Sequence, residues 1–138
     1  MTLIEWDESM ALHLPAIDSQ HKQLISWIKA LSDAVLKGEG AQVIDDVLQK
    51  LVSYVQEHFS DEERLMLSHN FPGFMSHRQE HDFFVTRLGD MHARITNGEE
   101  LSSKALDFLI LWTINHIKGT DQIYGRFIRE AAGDSKFD

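Results

Sequence analysis

Apolar residues recur at every third or fourth position along four stretches of the chain, the spacing of amphipathic helices. Leu24, Ile25, Ile28, Leu31 and Val35 mark the first stretch, and Ile44, Val47, Leu48, Leu51 and Val55 the second. Phe84, Leu88, Met91 and Ile95 mark the third, and Leu106, Leu109, Ile110 and Ile117 the fourth. No alternating strand pattern competes with them. Asp18-Ser19 offers side-chain oxygens to the free amides of a helix start. Gly38 and Gly40 stop the first helix, and the second runs from about Ala41 to about Leu67. Asn70-Phe71-Pro72-Gly73 is a turn, after which a third helix reaches about Thr96 and ends at Asn97-Gly98. Ser102 or Ser103 caps the fourth, which extends to about Lys118. Gly119 breaks it, and a short amphipathic helix follows from Thr120 to about Ala132.

Four helices of comparable length on short loops predict an all-α fold, an up-down-up-down antiparallel four-helix bundle. Residues 1–138 read as one domain: an N-terminal arm (1–17), the bundle (18–118), a short C-terminal helix (119–132) and a frayed tail (133–138). Trp6 is expected to pack over the bundle end.

Composition narrows the function. The 13 Lys and Arg are outnumbered by 22 Asp and Glu, a net charge of −9, so nucleic acid and anionic lipid are unsuited partners. Cysteine is absent, which removes disulfides, thiolate metal sites, iron–sulfur clusters and thiol catalysis together. No apolar run approaches the roughly 20 residues of a membrane span. The segment Met1–Glu8 is acidic where an export signal would be basic, so a cytoplasmic location is expected. The 8 His are a high count for a chain of 138 residues, and their positions matter.

His21 lies on the apolar stripe of the first helix. His58 extends the Leu51–Val55 row of the second, and His77 and His81 extend the Phe84–Leu88 row of the third. His116 lies on the inner face of the fourth. One imidazole on an apolar face reads as a hydrogen-bonded core residue. Five of them, with at least one on every helix, would cost about 1–3 kcal/mol for each left unsatisfied, unless they share a partner. A shared metal is such a partner. His58 and Glu62 are four apart, as are His77 and His81, so each pair shares a helix face about 6 Å apart along the axis. Glu57, Asp61 and Glu63 point sideways and read as a solvated acidic surface. His116 and Asp121 are five apart, roughly 140° out of phase on an undisturbed α-helix. Gly119 between them permits a break or bulge that would swing Asp121 inward; otherwise Asp121 is an N-cap of the last helix. His13, His69 and His92 fall outside the constellation and read as exposed.

The inventory is His21, His58, Glu62, His77, His81, His116 and Asp121. Seven donors are too many for one metal and suit two, and nitrogen and oxygen without sulfur favour iron, manganese, zinc or copper. With both carboxylates and an oxide or hydroxide bridging two six-coordinate ions, one position stays open for a small ligand.

These residues resemble the hemerythrin family over nearly the whole chain. Ile4-Glu5-Trp6-Asp7 and Ile17-Asp18-Ser19-Gln20-His21 are similar to its N-terminal signature. His58-x-x-x-Glu62, His77-x-x-x-His81 and His116-x-x-x-x-Asp121 are similar to its remaining ligand motifs, in order. The length resembles that of bacterial hemerythrins that stand alone. The resemblance implies an oxo- or hydroxo-bridged pair of iron ions. His77, His81 and His116 would be on one iron, His21 and His58 on the other, and Glu62 and Asp121 would bridge them. It implies reversible binding of O2, end-on as a hydroperoxide at the open iron, in a carrier, store or delivery protein and not an enzyme. A protein that receives the O2 is a further possible partner.

Leu24, Phe59, Trp112, Thr113 and Ile117 would line the O2 pocket and keep water out. Thr113 departs from the bulky aliphatic residue usual in the family. Its hydroxyl has three options: bonding a bound ligand, admitting water, or bonding back to the Leu109 carbonyl, the first expectation. Leu12-His13-Leu14-Pro15 also departs, lacking the glycine common in that segment. Competing readings of the same site are an enzyme handling peroxide or nitric oxide, a redox or O2 sensor, and a structural zinc bundle.

Overall fold

The structure, a computed structural model, describes residues 4–131. The tail expected to fray, residues 133–138, lies outside them. Helix α1 spans Pro15–Leu36, α2 Ala41–Ser68, α3 Phe74–Thr96 and α4 Ser103–Asn115. A π-helical turn, His116–Thr120, leads directly into α5, Asp121–Ala131. The four long segments run alternately up and down, α1 packing on α2 and α4, and α2 on α3. Among the described residues no helix is long and apolar enough to cross a membrane.

Each helix buries the stripe that its periodicity marks. Leu24, Ile28 and Leu31 meet Leu48, Leu51, Val55, Phe84, Leu88, Leu106, Leu109 and Ile110 in one core. Val35, Ile44 and Val47, at the ends of their stripes, are only partly buried against it. A smaller cluster at the other end joins Leu12, Ile17, Met66, Tyr124 and Ile128. Along α2, Glu62 sits between Phe59 of the first cluster and Met66 of the second. Asp121 sits likewise between Ile117 and Tyr124. The polar constellation is therefore sealed by apolar residues from both ends.

Two boundaries differ from expectation. Helix α1 begins at Pro15, not at Asp18. Proline is well suited to the first helical position, where its missing N–H would have no partner and its φ is already helical. Asp18 instead reaches back, accepting bonds from the Leu12 and His13 amides at 2.8 and 3.1 Å. The arm thus ends at residue 14, and it is tied down: Leu12 is fully buried, and the Arg129 guanidinium donates to its carbonyl. His13 takes φ 60, the left-handed conformation that a glycine would adopt more easily. Trp6 packs on the main core beside α1, with the Lys22 ammonium 5.0 Å from its ring centre. Ser102 caps α4 by accepting from the Ala105 amide at 3.0 Å.

The second difference concerns Gly119. The chain does not break there; α4 continues through the π turn into α5. Gly119 has no positive φ, and a Cβ placed on it would meet nothing within 4 Å. The turn therefore does not depend on glycine. Gly119→Ala is expected to leave the turn intact and to stabilise the protein by about 0.5–1 kcal/mol, as Ala replacing Gly does inside a helix. Thermal melting checks the gain, and metal content checks that the turn survives.

Candidate metal centre

Four helical segments carry the seven predicted donors to one place in the bundle interior, and none is more than 4% exposed. On α1 His21 shares the buried face of Leu24 and Ile25. On α2 the four-residue spacing of His58 and Glu62 turns both inward, and on α3 it does the same for His77 and His81. The π turn solves the five-residue spacing of His116 and Asp121. Its wider ring closes through the Asp121 amide bonding the His116 carbonyl, five residues back, so both side chains face the same way. Asp121 is fully buried and helical, not an N-cap.

The carboxylates stand at the centre. Glu62 lies 3.3 Å from His21 Nε2, 3.2 Å from His58 Nε2 and 3.4 Å from His81 Nε2. Asp121 lies 3.1 Å from His21 Nε2, 3.0 Å from His77 Nε2 and 3.1 Å from His116 Nε2. Each carboxylate therefore touches both the His21 side and the three-histidine side. Two donor sets result, Glu62 with His77, His81, His116 and Asp121, and His21 with His58 and Glu62.

The donor atoms are poorly matched to one another and well matched to cations. His81 and His116 each bond a carboxylate through Nδ1, at 2.9 and 3.1 Å. A carboxylate only accepts, so Nδ1 carries the proton in both rings. Their Nε2 atoms then present lone pairs to each other across 3.2 Å. His21, His58 and His77 Nε2, Glu62 Oε1 and both Asp121 oxygens are buried without hydrogen-bond geometry to any partner among the described residues. Such atoms are costly in a packed interior unless a proton or metal ion sits between them. The residues present fit a pair of cations of borderline or hard character.

Without metal, protons do this work. Burial opposes charge on His21, yet Asp121 and Glu62 prevail and raise it to about 10. The same contest at His116, with Asp121, Glu80 and Glu62 against burial, also ends at about 10. Burial likewise opposes ionisation of Glu62, but His58, His21 and His81 hold its carboxyl well below the usual range. Asp121 is lowered too, because His116 and His21 outweigh burial and the neighbouring Glu62 charge.

An outer layer of residues is not visible in the inventory drawn from sequence. Gln20 Oε1 accepts from His58 Nδ1 at 2.7 Å, and the Gln20 amide nitrogen donates to Asp61 at 3.1 Å. Glu63, expected to be solvated surface, is half-buried and holds His81. Glu80 holds His116. The Tyr124 hydroxyl donates to Glu62. Burial, with the Glu62 and Asp121 charges, pushes the Tyr124 phenol up, so it stays protonated. The only sequence signal for these residues is adjacency: Gln20 before His21, Glu63 after Glu62, Glu80 before His81, and Tyr124 one turn after Asp121.

Of the expected pocket residues, Leu24, Phe59, Thr113 and Ile117 are buried and Trp112 partly so. Phe59 stacks on His81 at 3.7 Å between ring centres, and Trp112 on His116 at 4.4 Å. The expected bond from Thr113 to the Leu109 carbonyl is not made; its hydroxyl is buried with no partner among the described residues. Thr113→Val keeps the shape and removes that hydroxyl. It is expected to raise stability by about 1–2 kcal/mol, roughly 3–7 °C in Tm, read by calorimetry of the metal-free protein. Two remote histidines are less exposed than expected. His69 bonds the Leu65 carbonyl at 3.0 Å, and His92 lies 3.1 Å from Asp45, because α2 flanks both. His13 is exposed.

Comparison with known proteins agrees with this architecture. Residues 13–128 match the family model described as the hemerythrin HHE cation binding domain. Bacteriohemerythrin of Stenotrophomonas maltophilia is 32% identical over 124 residues, 90% of this chain and 80% of that one. Myohemerythrin of Theromyzon tessulatum is 35% identical over 120 residues, 87% of this chain and 89% of that one. A crystal structure of wild-type hemerythrin superposes with a TM-score of 0.84 at 28% identity, covering 91% of this chain and 97% of the other. With the family model spanning most of the chain and the bundle folded as in solved hemerythrins, this protein belongs to the hemerythrin family.

Proposed function

We propose that this chain binds O2 reversibly at a pair of iron ions, as a carrier, store or delivery protein and not an enzyme. The observation that carries the reading is the convergence of five imidazole nitrogens and two carboxylates in the buried interior, most of their facing atoms without a hydrogen-bond partner among the described residues. His77, His81 and His116 would hold one iron, His21 and His58 the other, with Glu62 and Asp121 shared between them. Two iron ions there would supply the two electrons that reversible O2 binding draws on. The protein supplies the rest. Seven side chains from separate segments would hold the ions and leave few positions for other ligands. Glu62 is oriented by the Tyr124 hydroxyl, which keeps its own proton. Leu24, Phe59, Trp112 and Ile117 exclude water, which protects against loss of the reduced state. The relatives named bacteriohemerythrin and myohemerythrin support the same assignment.

The unpartnered Thr113 hydroxyl favours a second reading, a centre that turns over peroxide or nitric oxide. An optical cycle separates the two. The iron-loaded protein is reduced without air, exposed to O2, then purged with inert gas. A charge-transfer band that rises and then vanishes, over repeated cycles, supports the carrier. Irreversible conversion to the ferric form on first exposure, or faster turnover with peroxide than cycling with O2, defeats it.

A further inference from the structure

The imidazoles of the centre are supported from outside in two different ways. On the three-histidine side, His81 donates from Nδ1 to Glu63 at 2.9 Å and His116 to Glu80 at 3.1 Å. Thr120 donates to the same Glu80 oxygen at 2.9 Å and pins it. On the other side, His58 donates from Nδ1 to a neutral amide, Gln20, at 2.7 Å. The Asp61 carboxylate stands one group further away, taking the amide's N–H at 3.1 Å. His21 Nδ1 has no partner among the described residues. A carboxylate on Nδ1 makes Nε2 a stronger electron donor than an amide does, besides fixing the ring. A cleft of about 60 Å³, lined by Gln20, Tyr54, Glu57, His58 and Asp61, reaches His58 from the α1–α2 surface.

We infer that the two metal positions are unequal and fill in order. The position formed by Glu62, His77, His81, His116 and Asp121 takes its metal first and holds it more tightly, because Glu63 and Glu80 support two of its imidazoles. The position formed by His21 and His58, with the shared Glu62 and Asp121, fills second, by way of the Gln20–Asp61 cleft, and empties first. Glu63 and Glu80 are positioning residues, and Gln20 sets the weaker side. This rests on the metal pair proposed above.

The test is a Co(II) titration of the metal-free full chain, followed by visible ligand-field absorption, with metal content measured after each equivalent. Two resolved steps are expected. In the Glu63→Gln, Glu80→Gln chain the first step weakens by about 10–100-fold while the second holds its place. Gln20→Glu strengthens the second step and narrows the gap between them. That gain is one that a merely structural role would not produce, and circular dichroism checks that both variants fold. A single step taking both equivalents together, or two steps unmoved by all three substitutions, overturns the inference while leaving the metal pair standing. Failure of the native chain to bind Co(II) at all overturns both.

Discussion

Adding Fe(II) without air, or Zn(II), to the metal-free protein is expected to raise its melting temperature by roughly 14 °C for each ion bound. That rise corresponds to about 4 kcal/mol per site at a thousandfold excess of metal over its Kd. The gain should depend on pH in a definite direction. His21 and His116 are raised from 6.5 to about 10 in the folded metal-free chain. Their contribution to stability is therefore complete below about 6.5 and is lost as pH rises through about 10. Glu62 and Asp121 are lowered from 4.5 and 3.8, so their contribution is present above those values and is lost in acid. The metal-free protein is accordingly most stable between about pH 4.5 and 6.5. Metal must displace the same protons, so its affinity rises with pH. Melting curves with and without metal at pH 5.5 and 8.5 should show the larger difference at 8.5. An equal or smaller difference there would mean that protons and metal do not compete for these side chains.

Glu62→Gln carries the second large effect. Glu62 lies within 3.4 Å of His21, His58 and His81 and accepts from Tyr124. The amide keeps the volume but removes the negative charge that balances the buried imidazoles. Breaking a buried ion pair by deleting one partner costs about 3–5 kcal/mol, because the charge left behind has no compensation. The metal-free variant should lose that much in denaturant unfolding. It should also bind fewer than two metal ions, since Glu62 belongs to both donor sets. A variant as stable as the native chain, with its full complement of metal, would show that Glu62 is only packed against the site. Met66, one turn further along the same helix, offers a control. Conservative changes there should alter stability without altering the number of metal ions.

The amino-acid sequence alone determined the four helices, their inward faces and the seven candidate donors. These depend on short-range geometry: residues three and four apart on a helix share a face, so the apolar stripes and the His58–Glu62 and His77–His81 spacings can be read from a single segment. The tertiary structure alone decided how α4 passes into α5. Spacing permitted either a break or a bulge at residues 116–121, and packing selected a π turn without needing glycine to allow it. It also decided which outer residues hold the donors. Gln20 meets His58, Glu63 meets His81, Glu80 meets His116 and Tyr124 meets Glu62 across 18 to 62 residues of sequence. Periodicity reports which face of a helix is apolar, but not its rotation or height against its neighbours. Long polar side chains near the edge of that face, such as Glu63 and Glu80, reach a partner or the solvent according to those two quantities. The unmatched Thr113 hydroxyl arises in the same way: α4 turns it into the interior, where no neighbouring helix offers it a partner among the described residues.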